Sequence, residues 1–169
     1  MGINIIEGGV TAAKGFEAAA AAAGIKYEGR TDMALIYSEK PCKAAGTFTR
    51  NVVQAAPVKW DKAIVKEEKR VQAVIINSGI ANACTGEEGM GYCQETAEEA
   101  AKVLGVDSES VLVASTGVIG MQLPMDRVKA GISMLTYLKK SDMESGTEAA
   151  KAIMTTDTEK KEAAVTFEI

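Results

Sequence analysis

The turn Ser115-Thr116-Gly117 is the first place where this sequence could do chemistry. It follows the apolar run Ser110 to Val113 and precedes a helix-like segment that opens at Pro124. A hydroxyl-and-glycine turn at a strand end can aim backbone N–H groups and a threonine hydroxyl at one point. That is the equipment of an oxyanion hole, whose donors must be fixed where negative charge develops. Two further polar turns sit at comparable places. Asn77-Ser78-Gly79-Ile80-Ala81-Asn82-Ala83 follows Val71 to Ile76, and Thr155-Thr156-Asp157-Thr158 follows Ala152-Ile153-Met154. Singly, each reads as an Asx turn, an ST turn or a helix cap. Together they predict one polar pocket built at the ends of elements.

The chain contains no histidine. Ser-His-Asp and Cys-His catalysis within it are therefore excluded. Zinc catalysis is disfavoured for the same reason, and no metal site is expected. There is no G-x-x-x-x-G-K-[ST] phosphate loop, and Gly86, Gly89 and Gly91 do not form a dinucleotide fingerprint. Four routes stay open: a carboxylate or lysine base, a nucleophile lent by another chain, a terminal amine as base, or no catalysis. Cys42, Cys84 and Cys93 are odd in number and contain no CxxC, so they read as reduced thiols of a cytoplasmic protein rather than a disulfide framework. The net charge of −4 argues against a nucleic-acid partner. No run is long enough for a membrane span, and Met1-Gly2-Ile3-Asn4 shows no leader pattern.

The elements that must position these turns follow from apolar periodicity. At 169 residues the chain is one domain-sized unit, and aromatics make up only 5%, so Ala, Val, Ile, Leu and Met must fill its core. The alanine run 17–23 reads as a linker or helical stub ending at Gly24. Asp32 to Ser38 and Ala44 to Arg50 read as two strands paired through a turn near Lys40-Pro41. Lys59 to Arg70 is a polar stretch, with Glu67 to Arg70 a solvated face. Val71 to Ile76 is a near-continuous apolar run, expected to be a strand buried on both faces. Tyr92 to Leu104 is an amphipathic helix closed by Gly105, and Met125 to Leu138 is a second with Asp126 at its N-terminus. Ser145 to Met154 reads as a third helix, and Val165 to Ile169 alternates like a strand that has just begun. That ending implies one piece of a larger fold, with its sheet continued elsewhere.

The ordered motifs Gly9-Val10-Thr11-Ala12-Ala13-Lys14-Gly15-Phe16, Gly24-Ile25-Lys26, Asp32-Met33-Ala34-Leu35-Ile36, Thr47-Phe48-Thr49, Gln54-Ala55-Ala56-Pro57-Val58, Asn77-Ser78-Gly79, Ala81-Asn82-Ala83-Cys84-Thr85-Gly86, Ser115 to Gly120 and Met154 to Thr158 closely resemble the ornithine acetyltransferase family. This family is also called glutamate N-acetyltransferase. The resemblance is to its N-terminal part, the α chain, and covers essentially all of the sequence as a single domain, 1–169. It implies an α/β fold, a four-layer α/β/β/α sandwich left incomplete without the β chain.

The resemblance also implies a mechanism that needs no histidine. The family's precursor cleaves itself before a threonine in an Ala-Thr-Met-Leu motif. The freed threonine uses its own α-amine as general base, which a normal pKa of about 7.7–8.0 allows. Its hydroxyl takes acetyl from N-acetylornithine and passes it to glutamate through a covalent ester. That motif is absent here, so the nucleophile is expected on a partner β chain, in an α2β2 heterotetramer. Thr116 and Gly117 match the family's oxyanion-hole pair. Thr155 matches a substrate-binding position, with Thr156 as the alternative. No cofactor is implied, although acetyl-CoA as a second acetyl donor stays open. Ile80 departs from the family pattern, which usually has asparagine there. Two other readings remain: a self-processing terminal-threonine aminopeptidase-like subunit, and a non-catalytic assembly subunit.

Overall fold

The computed structural model describes residues 2–168. Its centre is a four-stranded mixed sheet in the order β2-β3-β4-β5. The strands are β2 (Phe16–Ala21), β3 (Met33–Lys43), β4 (Arg70–Asn77) and β5 (Val111–Ser115). β2, β3 and β4 pair antiparallel, while β5 runs parallel to β4. A separate antiparallel pair joins β1 (Ile3–Ile6) to β6 (Ala164–Phe167). Helices α1 (Ala56–Lys66), α2 (Glu88–Leu104) and α3 (Met125–Leu138) share one face of the sheet, and α4 (Met143–Ala152) lies across β2 and β3 on the other. None of these helices is long and apolar enough to cross a membrane.

The two periodicities of the sequence account for the main core. Leu35, Ala73, Ile75, Val111 and Val113 project from alternate strand positions toward Ala97, Ala100, Val128, Ile132 and Leu135 on the helices. Each fully buried aliphatic side chain contributes about 1.5–3 kcal/mol. Gly105 closes α2 in the left-handed conformation at φ 71°, with its N–H donated to the Ala101 carbonyl. Asp142 caps α4 by accepting the Ser145 N–H at 2.8 Å.

Four expectations are corrected. Residues 17–23 do not form a linker or helical stub: Phe16–Ala21 is strand β2, and Ala18, Ala19 and Ala21 are buried. Helix propensity gives way here because α4 approaches so closely that only small side chains fit, as Ala18 and Ala34 against Ala149 and Ala152 show. Ala44 to Arg50 forms no strand. Instead β3 runs on past Lys40-Pro41, takes up an irregularity between Tyr37 and Cys42, and keeps pairing with β4 through Cys42↔Val71. The polar stretch after Val58 holds α1, whose buried stripe is the narrow set Ala56, Pro57 and Ile64. Finally, β4 is fully buried on one face only. Val71, Ala73 and Ile75 are in the core, whereas Val74 and Ile76 are half-covered because α4 lies over β2 and β3. The tail is a strand from Ala164, and the expectation for Ile169 lies outside the described residues.

Both outer edges of the sheet are occupied by other parts of the chain. On β5, the Trp60 indole N–H donates to the Val111 carbonyl at 3.0 Å, and the Asp61 carboxylate accepts the Val113 N–H at 3.0 Å. On β2, Ala18 and Lys140 exchange backbone hydrogen bonds of 2.9 and 3.0 Å.

Candidate active site

The Ser115-Thr116-Gly117 turn is held by the turn that follows β4. Parallel pairing reaches Asn77↔Ser115, where the Thr116 N–H donates to the Asn77 carbonyl at 3.0 Å. Pairing resumes beyond it: the Val118 N–H reaches Gly79 O at 3.1 Å and the Ala81 N–H reaches Val118 O at 2.9 Å. Between these bonds the chain must fold two backbones against each other. Gly117 does so at φ 131°, and Gly79 at φ 99°. A Cβ on Gly117 would run into the Gly79 carbonyl and lie 2.8 Å from the Ile80 nitrogen, so only glycine fits.

A buried hydrogen-bond network fixes that geometry. Ser115 Oγ donates to Asn77 Oδ1 at 2.6 Å and accepts the Asn82 N–H at 2.9 Å. Asn77 Nδ2 donates to the Ile80 carbonyl at 2.7 Å. Asn82 Nδ2 donates to the Gly89 carbonyl at 2.8 Å, and Thr85 Oγ1 donates to Asn82 Oδ1 at 2.7 Å. Ile80 does not interrupt this network, because its backbone carbonyl serves it while its side chain joins the core at 4% exposure.

The third turn is drawn in by two anchors. Ser78 Oγ donates to the Ala152 carbonyl at 2.7 Å, at the end of α4, and the Arg30 guanidinium donates to the Met154 carbonyl. Thr155 and Thr156 come directly after. The loop that carries Arg30 is itself pinned by Asp32, 2% exposed, whose carboxylate accepts the Ala23 and Ile25 N–H groups at 2.8 and 2.6 Å.

The three turns therefore meet. Gly79, Thr116, Gly117, Thr155 and Thr156 line one open cleft of about 480 Å³, together with Lys26, Tyr27 and Arg30. All four residues singled out in the sequence lie on it, with Thr155 half-buried and Thr156 exposed. The Thr116 N–H is already committed to Asn77, which leaves the Thr116 hydroxyl and the Gly117 N–H. Among the described residues neither donates to a protein acceptor. Two free donors on adjacent residues suit an oxyanion. The sequence reading passed over Lys26, Tyr27 and Arg30. Its one available signal was Gly24-Ile25-Lys26, a glycine-led loop ahead of a buried aspartate.

Two titratable groups lie apart from the cleft, behind β5. Burial pushes the Asp61 carboxyl up to about 6, against the lowering effect of the Val113 N–H. Burial, reinforced by the Asp61 charge, pushes the Cys93 thiol up to about 12, while the Asn82 amide at 3.4 Å lowers it. A thiol held that high is inert.

The family model for the ArgJ family matches residues 17–169. The chain belongs to the ArgJ family. It is 52% identical over 166 residues to an arginine biosynthesis bifunctional protein ArgJ of Symbiobacterium thermophilum, covering 97% of this chain and 40% of that protein. A second ArgJ protein, from Gloeobacter violaceus, is 48% identical over 161 residues, covering 95% of this chain and 39% of its own. The chain thus spans about 40% of the length of these ArgJ relatives. Its fold is that of solved ArgJ structures. An ornithine acetyltransferase of Mycobacterium tuberculosis complexed with ornithine superposes with a TM-score of 0.92 at 44% identity, covering 97% of this chain and 88% of that one. An ArgJ protein of Bacillus halodurans gives 0.91 at 39% identity, with 97% and 85% covered.

Proposed function

We propose that this chain is the α part of a glutamate N-acetyltransferase that moves acetyl from N-acetylornithine to glutamate in arginine biosynthesis. The observation that carries the reading is the meeting of Thr116, Gly117 and Thr155 on one cleft with two donors left free. Ornithine bound to the Mycobacterium tuberculosis relative supports the substrate class.

In this reading the nucleophile is a threonine that begins a β chain cut from the same precursor. Its α-amine takes the hydroxyl proton as the oxygen attacks the acetyl carbonyl of N-acetylornithine. The oxygen of that carbonyl becomes negative and is met by the Thr116 hydroxyl and the Gly117 N–H. Each such donor lowers the barrier by roughly 3–4 kcal/mol. The C–N bond then breaks, ornithine leaves with the proton, and an acetyl-threonine ester remains. Glutamate's amine attacks the ester, and the threonine hydroxyl is restored. Thr155 contacts the amino-acid part of the substrate. We further read the assembly as an α2β2 heterotetramer in the cytoplasm, with this chain as a single domain and the β chain completing a four-layer sandwich. Acetyl-CoA would enter as an alternative donor, since the same oxyanion site serves a thioester.

The test is co-expression of this chain with the downstream segment, followed by an assay of acetyl transfer from N-acetylornithine to glutamate. Transfer with formation of an acetyl-threonine ester supports the reading. No transfer, with both chains folded and associated, overturns it in favour of a non-catalytic assembly subunit.

A further inference from the structure

We propose that Lys26 is the carboxylate ligand of the Thr116–Gly117 cleft, a specificity-determining residue that receives a carboxylate of the amino-acid substrates. The inference rests on the functional reading above for the identity of those substrates, but the anion site itself is drawn from the geometry.

The cleft is lined by two cations, Lys26 and Arg30, and by no aspartate or glutamate. The two cations differ in what they already do. Arg30 donates to the Met154 carbonyl and so serves to hold the segment that carries Thr155. Lys26 has no ion-pair partner among the described residues. Its ammonium lies 4.9 Å from the centroid of the Tyr27 ring, a contact that orients a cation without neutralising it.

The stem of Lys26 is also set in place. It is half-buried, and a Cβ on Gly79 would come within 3.1 Å of the Lys26 Cβ, so the glycine beneath the oxyanion turn makes room for the lysine. The residue before it, Ile25, is 3% exposed and donates its N–H to Asp32. The ammonium is thus carried on a pinned loop; the Asp32 carboxylate in the adjoining pocket is engaged by the Ala23 and Ile25 N–H groups, and no acidic side chain among the described residues lines the cleft itself. A cation in that position gains from an incoming anion, and a charge-assisted bond to a carboxylate is the strong form of that contact. N-acetylornithine and glutamate share an α-carboxylate, and glutamate has a second one on its side chain. Either can be the source.

The experiment uses the co-expressed two-chain protein and the variants Lys26→Gln and Lys26→Arg. Lys26→Gln is expected to raise KM about tenfold while kcat stays within about twofold, the pattern of binding lost equally from ground and transition states. Lys26→Arg is expected to restore most of the loss. A rise for both amino acids assigns the α-carboxylate; a rise for glutamate alone assigns its side chain. KM values within twofold of the parent, or a rise confined to acetyl-CoA, overturn the proposal. Calorimetric binding of glutarate reads the same site without catalysis. An affinity about tenfold weaker in Lys26→Gln supports the proposal, and an unchanged affinity overturns it. If the parent protein transfers no acetyl group while glutarate binding still depends on Lys26, the functional reading fails and the anion site stands.

Discussion

Two turns of nearly the same composition lie side by side at the ends of β4 and β5, and they differ in what their polar groups are doing. In Asn77-Ser78-Gly79 the polar side chains are 5% and 0% exposed and every hydrogen bond runs inward, to Ile80, Ser115 and Ala152. In Ser115-Thr116-Gly117 only the serine is spent this way. Thr116 and Gly117 line the cleft, and among the described residues the threonine hydroxyl and the glycine N–H have no protein acceptor. Residue type alone does not separate a turn whose donors are all spent from one that leaves donors free. What separates the two is the pairing: the bonds of the first turn hold the second in place, and the second keeps two donors unused among the described residues.

Thr116→Ala tests the chemical side and carries the largest effect. Under the proposed function, with the chain co-expressed with the downstream segment, we expect kcat for acetyl transfer to fall by roughly 10²–10³, with the melting temperature nearly unchanged. An undiminished kcat would put Thr116 back among the structural residues. Asn77→Ala tests the structural side. It removes two buried hydrogen bonds, Ser115 Oγ to Asn77 Oδ1 and Asn77 Nδ2 to the Ile80 carbonyl, a loss of about 1–3 kcal/mol, while Ser115 Oγ still reaches the Ile80 carbonyl at 3.1 Å. The urea midpoint should drop, while the fraction still folded retains the glutamate KM of the parent. Equal loss of stability in both variants would erase the distinction between the turns.

The smallest effect concerns the strand behind the free turn. Asp61 clasps β5 at Val113, and burial holds its carboxyl near 6, above the usual carboxylate range. The folded protein therefore keeps a proton that the unfolded chain has given up between about pH 4 and 6. The stability associated with this group is complete below the unfolded pKa and is lost as pH rises through 6. Asp61→Asn, which keeps an acceptor for Val113, removes the titration. Relative to that variant, the parent should lose about 1 kcal/mol between pH 4 and pH 7, allowing for screening by water at this half-buried site. The readout is the urea midpoint followed by emission of Trp60, the chain's single tryptophan. Parallel curves for parent and variant would remove Asp61 from the account of β5.

Much of this was legible before any coordinates. Met125–Leu138 was visible to the residue, because a stripe at helical spacing and an acidic first turn agree. The Gly105 cap and the apolar run of β4 were visible for the same reason: local and tertiary preferences coincide. Reading failed where they conflict. The alanine run is locally helical, and only the close approach of α4 makes it a strand. Pro41 reads as a turn, but β3 absorbs it in an irregularity and continues. In the site, the motifs pointed to Thr116, Gly117 and Thr155, and the structure brings all three onto one cleft. That the Thr116 N–H is unavailable depends on pairing with Asn77, 39 positions earlier, which no local pattern encodes. Lys26 escaped because what singles it out, a cation on a cleft that no acidic side chain among the described residues lines, arises from residues far apart in the sequence.

The clasps on the two outer strands have a consequence for how this sheet can grow. Trp60 and Asp61 occupy the free backbone of β5 at Val111 and Val113, and Lys140 occupies that of β2 at Ala18. A strand arriving from either side finds those positions taken, which guards against the edge-to-edge pairing that leads to aggregation. What remains approachable is the flat side, where Val74, Ile76, Leu112 and Ala114 are half-covered. The sheet is closed to lengthening and open to stacking.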